Sequence, residues 1–246
     1  MNISARILRI TSLPALAVLA VLAILATSCL KSSESSYTMY SFVSVLSPTS
    51  LKADDGAKFN VIADNSDGKW TSESRLYIMY TIKGGAASTD GYDMTLEEYA
   101  PVQIKNALFK SSADSTVYGK DPVKFSGGAI SGTENNKYFN VLACYTARKG
   151  TTTPHTVDIV VDDIEQESGT LSLSLVHNGA GEVYGNATIP SSDFVLVYKY
   201  LSFPYGQVTG GKDISTMKIN YTYYNTDSSG ALSTTTSEQT ITVNIK

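Results

Sequence analysis

The chain has 246 residues, 19 basic against 23 acidic side chains for a net charge of −4, and 42% hydrophobic residues. That balance argues against nucleic acid or another polyanion as partner, and the length suits one large or two modest domains with a substantial core. Two cysteines exclude a disulfide-stapled scaffold.

Residues 15–26 are twelve consecutive apolar residues, enough for a helix of about 18 Å. A bilayer core is ~30 Å thick, so this run is too short to span. Arg6 and Arg9 precede it, and the small residues Ala26, Thr27 and Ser28 follow. Basic, apolar and small parts in that order define an export signal over residues 1–28.

The cleavage site has two readings. Leu25-Ala26-Thr27-Ser28-Cys29 resembles a bacterial lipobox, in which the cysteine sulfur takes a diacylglycerol and becomes the first mature residue. Alternatively, Ala26 and Ser28 satisfy an ordinary secretory peptidase and leave Cys29 as a free thiol. The serine-rich tether over residues 29–37 favours lipidation of Cys29, because it lets a domain stand off a surface. Each buried methylene contributes about 0.8 kcal/mol, so two or three acyl chains anchor the protein durably. Removing residues 1–28 takes away two arginines and no acid, leaving 218 residues with a net charge of −6.

Beyond the tether, sixteen tyrosines, abundant threonine and valine, and short alternating runs predict an all-β protein. Strands are predicted over residues 40–46, 58–63, 75–82 and 99–109, with turns at Asp54-Asp55-Gly56 and over residues 64–68. In Arg75–Ile82, Leu76, Ile78, Tyr80 and Ile82 share a face. Several short strands in about 70 residues fit a small OB-like barrel over residues 38–110.

Residues 111–120 are polar and aperiodic, the expected linker. The second half, residues 121–246, alternates more cleanly. Val157, Ile159 and Val161 oppose Asp158 and Asp162; Leu171, Leu173 and Leu175 oppose Ser172 and Ser174. Residues 194–201 are apolar on both parities, which predicts a central or doubly covered strand. With strands near 123–130, 138–147, 217–223 and 241–245, the expectation is an antiparallel β-sandwich. Cys144 falls in a strand-like run and reads as a small buried hydrophobe.

A series of short motifs resembles the NigD-like lipoproteins of Bacteroidetes. It runs from Ser28-Cys29-Leu30-Lys31 through Asp54-Asp55-Gly56, Arg75-Leu76-Tyr77-Ile78-Met79-Tyr80, Asp90-Gly91-Tyr92, Val102-Gln103-Ile104 and Asp114-Ser115 to Gly119-Lys120-Asp121-Pro122. It continues with Tyr138-Phe139-Asn140-Val141, Pro154-His155 and Leu175-Val176-His177-Asn178. The resemblance implies an N-terminal OB domain, a C-terminal β-sandwich and an accessory or immunity role beside a bacteriocin. It attaches no catalytic residues. It also implies the outer membrane; with only Lys31 and Glu34 after the cysteine, the side that displays the protein stays open.

Chemistry is sparse. His155 and His177 are the only histidines, and no HExxH, GxSxG or CxxC occurs. His177 shares parity with Leu171, Leu173 and Leu175, the position of a hydrogen-bonded histidine at a core margin. Residues 162–167 hold four carboxylates, but their spacing matches no calcium loop. Asp114-Ser115-Thr116 resembles a bacterial O-glycosylation sequon. Trp70, in a predicted loop, is the candidate ligand-binding residue, since an exposed indole stacks on sugar rings or partner proteins. No enzyme activity, cofactor or metal is expected. The expected partners are the membrane through the lipid, and a protein or peptide; a carbohydrate ligand is the alternative.

Overall fold

The computed structural model describes residues 38–82, 91–110, 118–131, 137–165, 168–182, 184–185, 189–229 and 231–245. The leader, Cys29, the tether, Asp90 and Asp114-Ser115-Thr116 lie outside them. The described chain is all-β apart from short helical turns.

Strands β1 (Thr38–Ser47), β2 (Ser50–Ala53), β3 (Lys58–Asp64), β4 (Arg75–Ile82) and β5 (Tyr92–Ile104) form a closed five-stranded barrel. Neighbours run β1-β2-β3-β5-β4 and back to β1, antiparallel except for the parallel β3–β5 pair that closes the ring. Closure depends on Gly91, which enters β5 at φ 124°; a Cβ there would sit 2.6 Å from the Lys58 carbonyl oxygen. Alternation turns Leu76, Ile78 and Tyr80 inward, onto Val43, Leu51, Phe59, Met94 and Leu96. A 3-10 turn (Lys69–Ser72) adds Trp70 to this core.

The remaining strands are β6 (Leu108–Phe109), β7 (Val123–Ser131), β8 (Tyr138–Arg148), β9 (Thr156–Glu165), β10 (Thr170–Asn178), β11 (Phe194–Pro204), β12 (Thr216–Thr226) and β13 (Leu232–Asn244). One helical turn, α1 (Tyr205–Val208), follows β11. They build two sheets, and the first continues out of the barrel: after pairing with β4, the end of β5 runs parallel to β11, with β8 and β7 beyond. The second sheet runs β13-β12-β10-β9-β6. Most pairings are antiparallel, while β5–β11, β6–β9 and β10–β12 are parallel.

The sandwich core collects Phe139, Val141, Leu201 and Phe203 from the first sheet and Val157, Ile159, Leu171, Leu173, Met217 and Ile219 from the second. Each such side chain contributes roughly 1.5–3 kcal/mol by leaving water. Pairing crosses the region of the expected linker, because β5 and β6 bond to second-half strands before residue 111. Lys105 reinforces the crossing by donating to the Val157 carbonyl at 2.9 Å and pairing with Asp158.

Candidate functional site

Strand β11 is central, as its composition predicts, yet only one of its faces meets the core. Leu201 and Phe203 point into the sandwich. On the outer face, Leu196 and Tyr198 remain 50% and 57% exposed. The outer face continues across the barrel strands. Register places Phe42 opposite Tyr77, Tyr77 opposite Ala100, and Tyr200 opposite Val102. Ala100 offers only a methyl group between β4 and β11, so Tyr77 and Tyr200 lean together with ring centroids 4.6 Å apart and planes at 18°. Tyr40, itself 58% exposed, stacks on Tyr77 at 6.0 Å and 16°, and Phe42 packs against Tyr77 at 4.9 Å. The result is a strip of three near-parallel tyrosine rings on an open sheet face, with Phe42 tilted against it.

The strip is amphipathic. The hydroxyls of Tyr40, Tyr77 and Tyr200 hydrogen-bond no other described residue. Burial raises the pKa of Tyr77 and of Tyr200, and neighbouring phenols raise both further. Tyr77 and Tyr200 are therefore held in the neutral form, and the strip offers ring edges and hydroxyls together. Tyr198 lies against Cys144, which raises its pKa; burial in turn raises that of the Cys144 thiol. Cys144 is thus a buried thiol held toward its neutral form.

Beneath one end of the strip lies a buried ionic cluster. Arg75, 1% exposed, grips Asp54 with Nη1–Oδ1 at 2.7 Å and Nη2–Oδ2 at 2.6 Å. Its Nε donates to Ser202 Oγ at 2.7 Å and its Nη2 to Asn140 Oδ1 at 3.0 Å. Asn140 Nδ2 donates to Asp54 Oδ2 at 2.9 Å, and the Tyr138 ring covers the guanidinium at 4.1 Å. Asp54 and Arg75 belong to the barrel; Tyr138, Asn140 and Ser202 belong to the sandwich. A buried charge survives only when paired and hydrogen-bonded, and both conditions hold here. Three separate sequence motifs, around Asp54, Arg75 and Asn140, thus meet at one point.

Trp70 does not belong to the exposed surface. It is 2% exposed, and its Nε1 donates to Asp64 Oδ2 at 2.8 Å. The expectation of an exposed indole is corrected. Gly68, at φ 71°, turns the chain so that the ring swings into the barrel core instead of out of the loop.

The histidines form a small buried chain. His155 Nδ1 lies 3.0 Å from His177 Nε2, and His155 Nε2 lies 3.2 Å from Glu182 Oε2. Tyr145 packs against both imidazoles, at 5.3 and 4.4 Å between centroids. Burial, then the neighbouring His155, lowers the His177 pKa to about 4. His177 Nδ1 makes no well-formed hydrogen bond, although the Pro122 backbone pulls that pKa part of the way back up. Among the described residues, no three His, Cys, Asp or Glu side chains converge to hold a metal.

Asp162 and Asp163 lie within β9 rather than in the connection after it. Asp162 accepts from Ser174 Oγ at 2.5 Å, and Asp163 caps its own neighbour by accepting from the Ile164 N–H at 2.7 Å. The 166–167 part of that acidic run is outside the described residues.

No family model and no curated protein matches the sequence. Solved structures do. A Bacteroides vulgatus protein of unknown function aligns at TM-score 0.59 and 16% identity, over 85% of this chain and 92% of its own. A Bacteroides fragilis candidate lipoprotein aligns at 0.56 and 13%, over 85% and 99%. A NigD-like immunity protein of Bacteroides caccae aligns at 0.51 and 16%, over 86% and 98%. At these identities the likeness is one of fold. The resemblance carried by the sequence motifs is therefore accompanied by a shared fold.

Proposed function

We propose that this chain is a NigD-like envelope lipoprotein, anchored to the outer membrane through acylated Cys29, which binds a protein partner on its tyrosine strip and performs no catalysis. The strip formed by Tyr40, Tyr77, Tyr198 and Tyr200 carries the reading. Tyrosine supplies large contact area at low entropic cost, and rings already stacked lose little freedom on binding. The leader and Cys29 support the anchor, and no helix among the described residues is long and apolar enough to cross a membrane. The fold shared with a NigD-like immunity protein supports an immunity-like role.

A carbohydrate ligand is the weaker reading. Trp70 is buried, and Tyr77 is stacked between Tyr40 and Tyr200, so its ring offers no open face to a pyranose.

Mass spectrometry of the mature N-terminus tests the anchor: a diacylglyceryl cysteine at position 29 is expected, and an unmodified thiol or another N-terminus overturns it. Deleting the gene and challenging the cells with a bacteriocin encoded beside it tests the role. Increased killing, rescued by the wild-type chain but not by one carrying Tyr40→Ser and Tyr198→Ser, is expected. Unchanged sensitivity sinks the immunity role.

A further inference from the structure

Strand β13 ends the five-stranded sheet, the one that does not carry the tyrosine strip. Every sheet edge exposes unpaired N–H and C=O groups, and stable proteins blunt such edges with brevity, lysine, proline or bulges. The barrel has no edge, because β3 pairs with β5. Strand β6 is two residues long. Strand β7 carries Lys124 and a register shift between Phe125 and Gly127.

Strand β13 has one register shift, between its Leu232 and Thr236 pairings, and none of these devices from Thr236 onward. It is thirteen residues long, without proline, glycine, lysine or arginine, and its pairing with β12 is unbroken from Asn244 back to Thr236. Among the described residues, β12 is its only partner strand. Its start is occupied by described residues: the Leu232 carbonyl accepts from Tyr184 Oη at 2.9 Å, and the Thr235 N–H donates to Ser233 Oγ at 3.2 Å. Residues 236–243 beyond it span about 27 Å at 3.4 Å per residue.

We infer that residues 236–243 accept an extended segment of another polypeptide as an added strand. The side chains define that segment. Ile241 and Val243 are partly buried at the margin of the sandwich core, so an added strand with apolar residues at alternate positions would complete their burial. The opposite face presents Thr240 and Thr242, beside a groove of about 620 Å³ lined by Ser174, Asn220 and Thr222. Polar residues suit that side. Glu238 is the one charged side chain of β13, while Lys218 stands opposite Thr242, so the matching segment is basic beside Glu238 and uncharged beside Thr242.

The probe is an end-capped nonapeptide alternating valine with threonine and lysine, added to the full mature chain while amide hydrogen exchange is followed. Expected is at least ten-fold slower exchange at alternate amides of 236–243 and nowhere on β1, β4 or β11. Glu238→Lys should weaken this protection several-fold and favour the same peptide with glutamate in place of lysine. A chain carrying Tyr40→Ser and Tyr198→Ser should retain it, which separates this surface from the tyrosine strip. Absent protection, protection spread over the whole sheet, or indifference to Glu238→Lys overturns the inference. So does a chain that is already dimeric by light scattering with these amides protected before peptide is added, since a second copy then fills the edge.

Discussion

Arg75 and Asp54, 21 residues apart, meet in a two-pronged ion pair that only the joined barrel and sandwich can bury, because Asn140 and Ser202 supply the remaining hydrogen bonds. Losing one partner strands a charge in a dry site. Arg75→Met is expected to destabilise the chain by about 3–5 kcal/mol. Adding Asp54→Asn should restore part of that, since no lone charge then remains. Urea unfolding of the single and double variants checks both, and equal stability of the two would contradict the account.

The His177 environment predicts a pH dependence of definite sign. Its pKa lies near 4 when folded, below the ordinary histidine value of 6.5. The unfolded chain therefore binds the extra proton first, and stability falls as pH drops from about 6.5 to about 4. Two to three pKa units correspond to roughly 3 kcal/mol. Glu182 adds to the loss at lower pH. Its hydrogen bond from Thr151, with a further one from His155, holds its pKa near 2, so its contribution disappears below about 4.5. His177→Gln should flatten the upper window and leave the lower one, as read by denaturant unfolding at stepped pH.

Trp70 is the single tryptophan, so its fluorescence reports one site. Its burial and its bond to Asp64 predict blue-shifted emission that iodide scarcely quenches, with a red shift and ready quenching on unfolding. Trp70→Ala should cost about 3–5 kcal/mol through the cavity it leaves. Easy quenching in the native chain would return the indole to the surface.

Gly91 predicts how the barrel fails. Alanine there must hold φ near 124° with its Cβ against the Lys58 carbonyl. Gly91→Ala should cost about 2 kcal/mol or more and speed amide exchange selectively along the β3–β5 pairing. Exchange unchanged there would show that the ring closes by other contacts.

Alternation is a local property, so strand identity and facing were legible in residues 75–82, 157–161 and 171–175: a side-chain period of two can be read without knowing the neighbours. The all-β character of both halves follows from that period and from turn residues such as Asp54-Asp55-Gly56. What occupies a strand's second face is not local. The doubly apolar run at residues 194–201 announced a central strand equally well with a covered or an open outer face, and only tertiary packing left Tyr198 and Leu196 uncovered. Trp70 shows the same limit, since a loop residue enters a core or solvent according to a turn that Gly68 sets and a barrel built by distant strands. The expectation of a leader and a lipidated Cys29 rests on consecutive residues alone, because a peptidase reads an extended chain. The tyrosine strip, the Arg75–Asp54 cluster and the open edge of β13 exist only after register and strand order bring together residues that have no proximity along the chain.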